Sequence, residues 1–156
     1  MITITTTRFN DLTYEENVLY RQIHPDIACI YGSPQAMSPL ILHRSILYVI
    51  EMNNSKNRIE GVGLIRNVPK NPHETLVYRE CSFNRYVFVG HYRIDREEMP
   101  PELVTLFDVI LFKGKTHMKR GSGFTTLTHK LMRHSECNEL DLYKELYKVF
   151  SDKYKQ

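Results

Sequence analysis

Residues 2–6, ITITT, alternate apolar and polar side chains and are rich in β-branched types, which predicts an opening strand. The period then lengthens. LTYEENVLYRQIHP (12–25) spaces Thr13 and Glu16 as a capping box and sets Val18, Leu19 and Ile23 on one apolar face, with Pro25 as a stop, so a short helix is expected. IYGSPQAMSP (30–39) carries Gly32, Pro34 and Pro39 and reads as a loop. In ILYVIEMNNSKNRIEGVGLIRN (46–67), two Ile- and Val-rich runs flank the polar turn Asn53–Asn57, the pattern of a β-hairpin.

ETLVYRE (74–80) and RYVFVGHYRID (85–95) predict two further strands; in the second, Tyr86, Phe88, Gly90 and Tyr92 alternate with Val87, Val89 and His91. MPPELVTLFDVILF (99–112) places Pro101 near a helix start and Leu103, Leu106, Phe107, Ile110 and Leu111 at helical spacing. Phe124, Leu127 and Leu131 suggest a further turn or two of helix. NELDLYKELYKVFSDKYKQ (138–156) is an amphipathic helix with Tyr143, Leu146, Tyr147, Phe150 and Tyr154 on one stripe. That stripe can pack on its own core or on a second subunit, so an oligomer through the C-terminal helix is one expectation. The elements do not alternate as βαβ units, which points to a single α+β domain over 1–156: a mixed, mostly antiparallel sheet of five or six strands, or an open barrel, with flanking and C-terminal helices.

Composition adds little. With 156 residues, 42% hydrophobic and 25% charged, the chain has the make-up of an ordinary soluble domain able to bury a core of its own. No apolar run approaches a membrane span, and MITITTTRFND lacks the basic start and apolar stretch of a signal peptide. No membrane partner is expected. Cys29, Cys81 and Cys137 are odd in number, far apart and without Cys-x-x-Cys spacing, so neither structural zinc nor any other metal or cofactor is called for. A reducing, intracellular setting in cytoplasm or nucleus fits.

Charge distribution changes the picture more. The net charge is only +3, but from Lys113 to Ser135 the chain carries Lys113, Lys115, Lys119, Arg120, Lys130 and Arg133 with no acidic residue. Within this window Gly114-Lys115-Thr116 has the closing letters of a P-loop. The early glycine that motif requires falls at Val109, and Gly121 and Gly123 would cut short the following helix, so a nucleoside triphosphatase is not expected. Gly61–Gly63 fails as a dinucleotide fingerprint because Arg66 takes the third glycine position. Read in its own order, the segment is a cationic loop followed by Gly121-Ser122-Gly123 and a helix expected from about Phe124, whose free N–H groups would attract an anion.

That constellation suits a phosphodiester backbone. Lys113, Lys115, Thr116, His117, Lys119, Arg120, Gly121, Ser122 and Gly123 are therefore the candidate nucleic-acid contacts, and Tyr86, Tyr92 and Phe124 the candidate stacking residues. A merely solvated loop is the plainer reading of the same charges. For catalysis, His91 and His117 are an acid and base suited to phosphodiester cleavage near neutrality.

The order of elements, with SILYVIEMNN followed by RIEGVGLIRN over residues 41–112, resembles the PUA-like superfamily of EVE, YTH and ASCH domains. In that superfamily a similar Gly-rich strand lies at the barrel wall. The resemblance implies an open barrel that binds RNA or modified bases. Some members use a Trp-lined cage, which here would have to come from Tyr or Phe, since the chain has no Trp. ASCH-type relatives include amidohydrolases of modified nucleosides, whose Lys, Thr and Glu set the resemblance would place on Lys115, Thr116 and Glu51. GKTHMKRGSGF is also similar to stretches in small proteins of large DNA viruses, which implies an infected host cell as the setting. The leading expectation is a non-enzymatic domain binding RNA or single-stranded or modified DNA. The alternatives are an enzyme acting on a nucleotide, nucleoside or nucleic acid, and a viral structural or interaction protein.

Overall fold

A computed structural model describes residues 2–71 and 75–155. Within them the chain runs β1 (Ile2–Phe9), α1 (Asp11–Ile23), β2 (Cys29–Ser33), β3 (Ile46–Asn53), β4 (Arg58–Arg66), β5 (Tyr86–Gly90), β6 (Tyr92–Asp95), α2 (Pro101–Phe112), β7 (Thr125–Thr126), α3 (His129–Met132) and α4 (Leu142–Tyr154). Five strands form a sheet in the order β6-β4-β3-β1-β7, and β2 and β5 pair as a separate antiparallel ribbon. The β1–β3 pairing is parallel and the others antiparallel. The fold is thus α+β with a mixed, mostly antiparallel sheet that does not close.

Both faces of the five-stranded sheet are covered. The pleat of β3 sends Tyr48, Ile50 and Met52 to a core shared with α2, α3 and α4, while Leu47 and Val49 face a second core with Cys29 and Tyr31 of β2 and Phe88 of β5. Burial on both faces explains why the hairpin reads as nearly continuous apolar runs. Glycines of β4 make room for their neighbours: a Cβ at Gly63 would collide with the Tyr31 hydroxyl and the Cys29 thiol of the ribbon, and one at Gly61 with the Arg93 guanidinium of β6. The GVG segment is a packing device for a buried polar cluster.

That cluster is centred on Glu51, which is only 1% exposed. Arg93 grips it in bidentate fashion, Nη2 to Oε1 at 2.7 Å and Nε to Oε2 at 2.9 Å, and the Tyr31 hydroxyl donates to Oε2 at 2.6 Å. Arg93 Nη2 also reaches the Tyr14 hydroxyl at 3.0 Å. Burial alone would raise the carboxyl of Glu51, yet the charge and hydrogen bonds of Arg93 and the Tyr31 hydroxyl hold it below its ordinary value. Burial pushes the nearby Cys29 thiol up to about 12, and the Glu51 charge adds to this, so Cys29 is inert packing.

Several local expectations change. The N-cap of α1 is Asn10, whose side chain accepts from Thr13 N–H while Thr13 Oγ1 accepts from Asn10 N–H; the capping box lies three residues upstream of Thr13–Glu16. Ile30 to Ser33 are strand, because the ribbon needs β2 as the partner of β5. RYVFVGHYRID is broken at His91 into strands of different sheets. Residues 75–80 are not a strand; Val77 and Tyr78 donate instead to Asn84 Oδ1, and Glu74, the first residue of that expected strand, lies outside the described residues. In α4, Leu142, Leu146, Val149 and Phe150 are buried in the chain's own core, whereas Tyr143 and Tyr147 point outward. No helix among the described residues is long and apolar enough to cross a membrane.

Candidate functional site

The basic segment leaves α2 where Lys113 N–H donates to Val109 O, turns at Gly114 with φ +75°, and returns to the core at Met118, buried and bonded through its N–H to Leu111 O at 2.8 Å. Residues 113–117 form a short projecting loop with Lys113 and Lys115 exposed and Thr116 and His117 half-buried. The residue where a P-loop glycine would stand, Val109, lies within α2, so no strand leads into Gly114-Lys115-Thr116.

From Met118 to Gly123 the backbone is pinned to the end of β1. Arg8 Nη1 donates to Met118 O at 3.2 Å and Thr6 Oγ1 at 3.0 Å, and its Nη2 to Gly123 O at 2.7 Å and Thr125 Oγ1 at 2.8 Å. Asn54 Nδ2 donates to Lys119 O at 2.9 Å, and Lys119 N–H donates to His117 Nδ1 at 3.2 Å. Gly123 has φ +67°, and a Cβ there would stand 2.5 Å from Ser33 Oγ, so only glycine fits. A lone charged residue on a threonine-rich strand was the signal for Arg8, one that periodicity alone passes over.

This pinned segment walls a cavity of about 330 Å³, within the range of small-ligand sites. Gly121, Ser122 and Gly123 form one side, and Phe9, Thr13, Pro34, Tyr78 and Phe83 contribute to the rest, with Arg8 and Asn54 between. Tyr78 and Phe83 meet edge to face with centroids 6.2 Å apart. Two polar atoms of its lining residues, Arg8 Nε and Asn54 Oδ1, are buried with no hydrogen-bond partner among the described residues. Burial pulls the Arg8 guanidinium below its ordinary value, and no carboxylate among the described residues pairs with it. The site therefore combines an aromatic wall, glycine backbone and a positive charge without a counter-ion.

None of Lys113, Lys115, Lys119, Arg120, Lys130 and Arg133 takes part in an ion pair among the described residues. The helix expected from Phe124 is absent: Gly123 leads into β7, and α3 begins only after Thr128, whose Oγ1 accepts from Leu131 N–H at 3.2 Å. The reason is tertiary. Phe124 is drawn into the second core, edge-on to Phe88 at 5.2 Å and to Tyr31 at 6.4 Å. A helix-dipole contribution to anion binding is thereby removed.

The expected stacking residues are also dispersed. Phe124 is core packing and Tyr86 is half-buried opposite Ser33. Tyr92 is 47% exposed but lies edge-on to Tyr154 at 4.8 Å, beside His91 in a different cleft. The His91 ring meets Asp26 O at 3.3 Å, whereas His117 Nδ1 accepts from Lys119 N–H, so no hydrogen bond joins the two histidines among the described residues. Nor is Lys115, Thr116 and Glu51 an assembled set, because Lys115 is exposed and Glu51 is sealed beneath the ribbon.

Arg8→Met should lower the unfolding free energy by about 1–3 kcal/mol, since the substitution leaves two partly buried carbonyls without their donor. It should also speed amide exchange in residues 118–125 selectively. Hydrogen exchange followed by mass spectrometry checks this; uniform protection in that segment would contradict the clamp. Comparison with protein-family models, with curated proteins and with solved structures returns no match for this chain.

Proposed function

We propose that this chain binds single-stranded nucleic acid, with phosphates along Lys113, Lys115, Lys119 and Arg120 and one unpaired base in the cavity between Phe83, Tyr78 and Gly121–Gly123. One observation carries the reading: an acid-free cationic segment, free of ion pairs among the described residues, is tied by Arg8 and Asn54 to the rim of an aromatic-walled cavity. Unpaired lysines and arginines gain most from a polyanion, because counter-ion release is not offset by breaking internal pairs. Aromatic rings contribute stacking with any base, and glycine backbone admits close approach. Lys119 and Arg120 directly precede the cavity-forming glycines, so a backbone on the cations brings its bases to the opening. A paired base cannot enter such a cavity without leaving its stack, which favours single strands.

The two parts separate experimentally. Phe83→Ala should weaken binding of a labelled single-stranded oligonucleotide by about 1–3 kcal/mol. The slope of log affinity against log salt should stay unchanged, because no phosphate contact is lost. Fluorescence anisotropy with single-stranded RNA, single-stranded DNA and duplex DNA measures both. Equal affinity of wild type and variant would remove the base from the cavity, and no binding by wild type to any probe would overturn the reading.

A further inference from the structure

The first helix buries a polar residue and exposes several apolar ones. Asn17 is the buried residue of α1, donating to Ile30 O at 2.6 Å and to the Tyr78 hydroxyl at 3.0 Å, and Arg21 Nε donates to Asn17 Oδ1 at 2.9 Å. Tyr14 packs on the second core and Val18 is half-buried, but three apolar residues of the helix face outward: Leu12 and Leu19 are each 56% exposed and Ile23 is 64% exposed. Leu76, 69% exposed, lies with them along one shallow cleft. Lone exposed apolar residues need no explanation, but four that line one cleft mark a surface meant to be covered.

The rim of the patch indicates what covers it. Glu15 and Arg79 both border the cleft, and neither side chain is in an ion pair among the described residues. Glu16 Oε2 accepts from Arg79 N–H at 2.8 Å, which fixes that acid and holds the Arg79 segment against the helix. An apolar cleft that carries one free acid and one free base can pair with a second copy of itself. A two-fold axis that brings Glu15 of one copy to Arg79 of a second repeats the same pairing on its other side, as an isologous interface requires.

We infer that α1 is a homodimerisation face, in which Leu12, Leu19, Ile23 and Leu76 of two copies pack together and Glu15 of each copy pairs with Arg79 of the other. A nucleic acid would be a poor occupant, since the cleft carries Glu15 and Glu16 against the single cation Arg79. The α1 face and the basic segment draw on different residues, so dimerisation and nucleic-acid binding stand or fall separately.

Sedimentation velocity over a concentration series tests the inference with the full chain. Wild type should show a concentration-dependent monomer–dimer equilibrium. Leu19→Glu should be monomeric, with its fold intact by circular dichroism because the site is exposed. Glu15→Arg should weaken the dimer by about tenfold or more, and the Glu15→Arg/Arg79→Glu swap should restore it. A wild type that stays monomeric throughout overturns the inference, as does a dimer that Leu19→Glu leaves unchanged, which would place the interface elsewhere. A charge swap that fails to restore what Glu15→Arg removed would overturn the two-fold pairing.

Discussion

Replacing Glu51 with glutamine should lower the unfolding free energy by about 3–5 kcal/mol, because the substitution keeps the shape of the side chain but strands a buried guanidinium. Arg93 is itself buried, and Glu51 offsets the cost of its burial by pushing its proton affinity above that of an ordinary arginine. Asp95, 3.0 Å from Arg93 Nη1, is more exposed and only partly replaces the lost partner. The consequence reaches beyond one ion pair. Arg93 and Tyr31 occupy the space above Gly61 and Gly63, so losing their anchor loosens the contact between ribbon and sheet on which Tyr78 and the cavity wall depend. Urea denaturation should show a lower midpoint with little change in slope, and the melting temperature should fall by about 10 °C or more.

The effect has a pH signature. The carboxyl of Glu51 is held below its ordinary value of 4.5 in the folded chain, so its contribution is present in full above that value. The contribution is lost as the pH falls through the lower folded value. The stability difference between wild type and Glu51→Gln should therefore be constant near neutrality and shrink on acidification. A difference under about 1 kcal/mol at neutral pH, or one that grows on the acid side, would contradict a charged, paired Glu51.

Reversing two charges, Lys119→Glu with Arg120→Glu, should reduce affinity for single-stranded nucleic acid by about a hundredfold at moderate salt while leaving stability within about 0.5 kcal/mol. The reason stability is spared is visible in the contacts. Lys119 and Arg120 have no ion-pair partner among the described residues, and it is the backbone carbonyl of Lys119 that Asn54 holds. The variant therefore changes the charge offered to a ligand without releasing the loop. Arg8→Met does the reverse, freeing the loop while keeping its cations, and the two variants together separate charge from positioning.

What could be read from the sequence follows from how local each signal is. The hairpin 46–66, the opening strand and α2 were legible because both sheet faces are covered by apolar layers and Pro101 sits in the first turn of its helix. The cationic window was legible because charge needs no fold to be counted. The helix expected at Phe124 failed because a ring in the right period was claimed by Phe88 and Tyr31 across the chain. The helix at 11–23 was found but turned the wrong way, since nothing in LTYEENVLYRQI says that Asn17 is the residue Ile30 and Tyr78 await. The cavity was invisible for the same reason: Phe9, Asn54, Tyr78, Phe83 and Gly123 are far apart in sequence and meet only where the β1 end, the hairpin turn and the basic segment converge.

The proposal that the cationic segment is a phosphate-contacting surface is tested most directly by the salt dependence of binding. Anisotropy titrations of a labelled single-stranded oligonucleotide, across a salt series, should give wild type a steep negative slope of log affinity against log salt. The Lys119→Glu/Arg120→Glu variant should be shallower by about 0.7 per lost contact, or roughly 1.4 in all. Wild-type binding whose slope the double variant leaves unchanged would contradict the assignment, as would a wild type that binds no probe even at low salt.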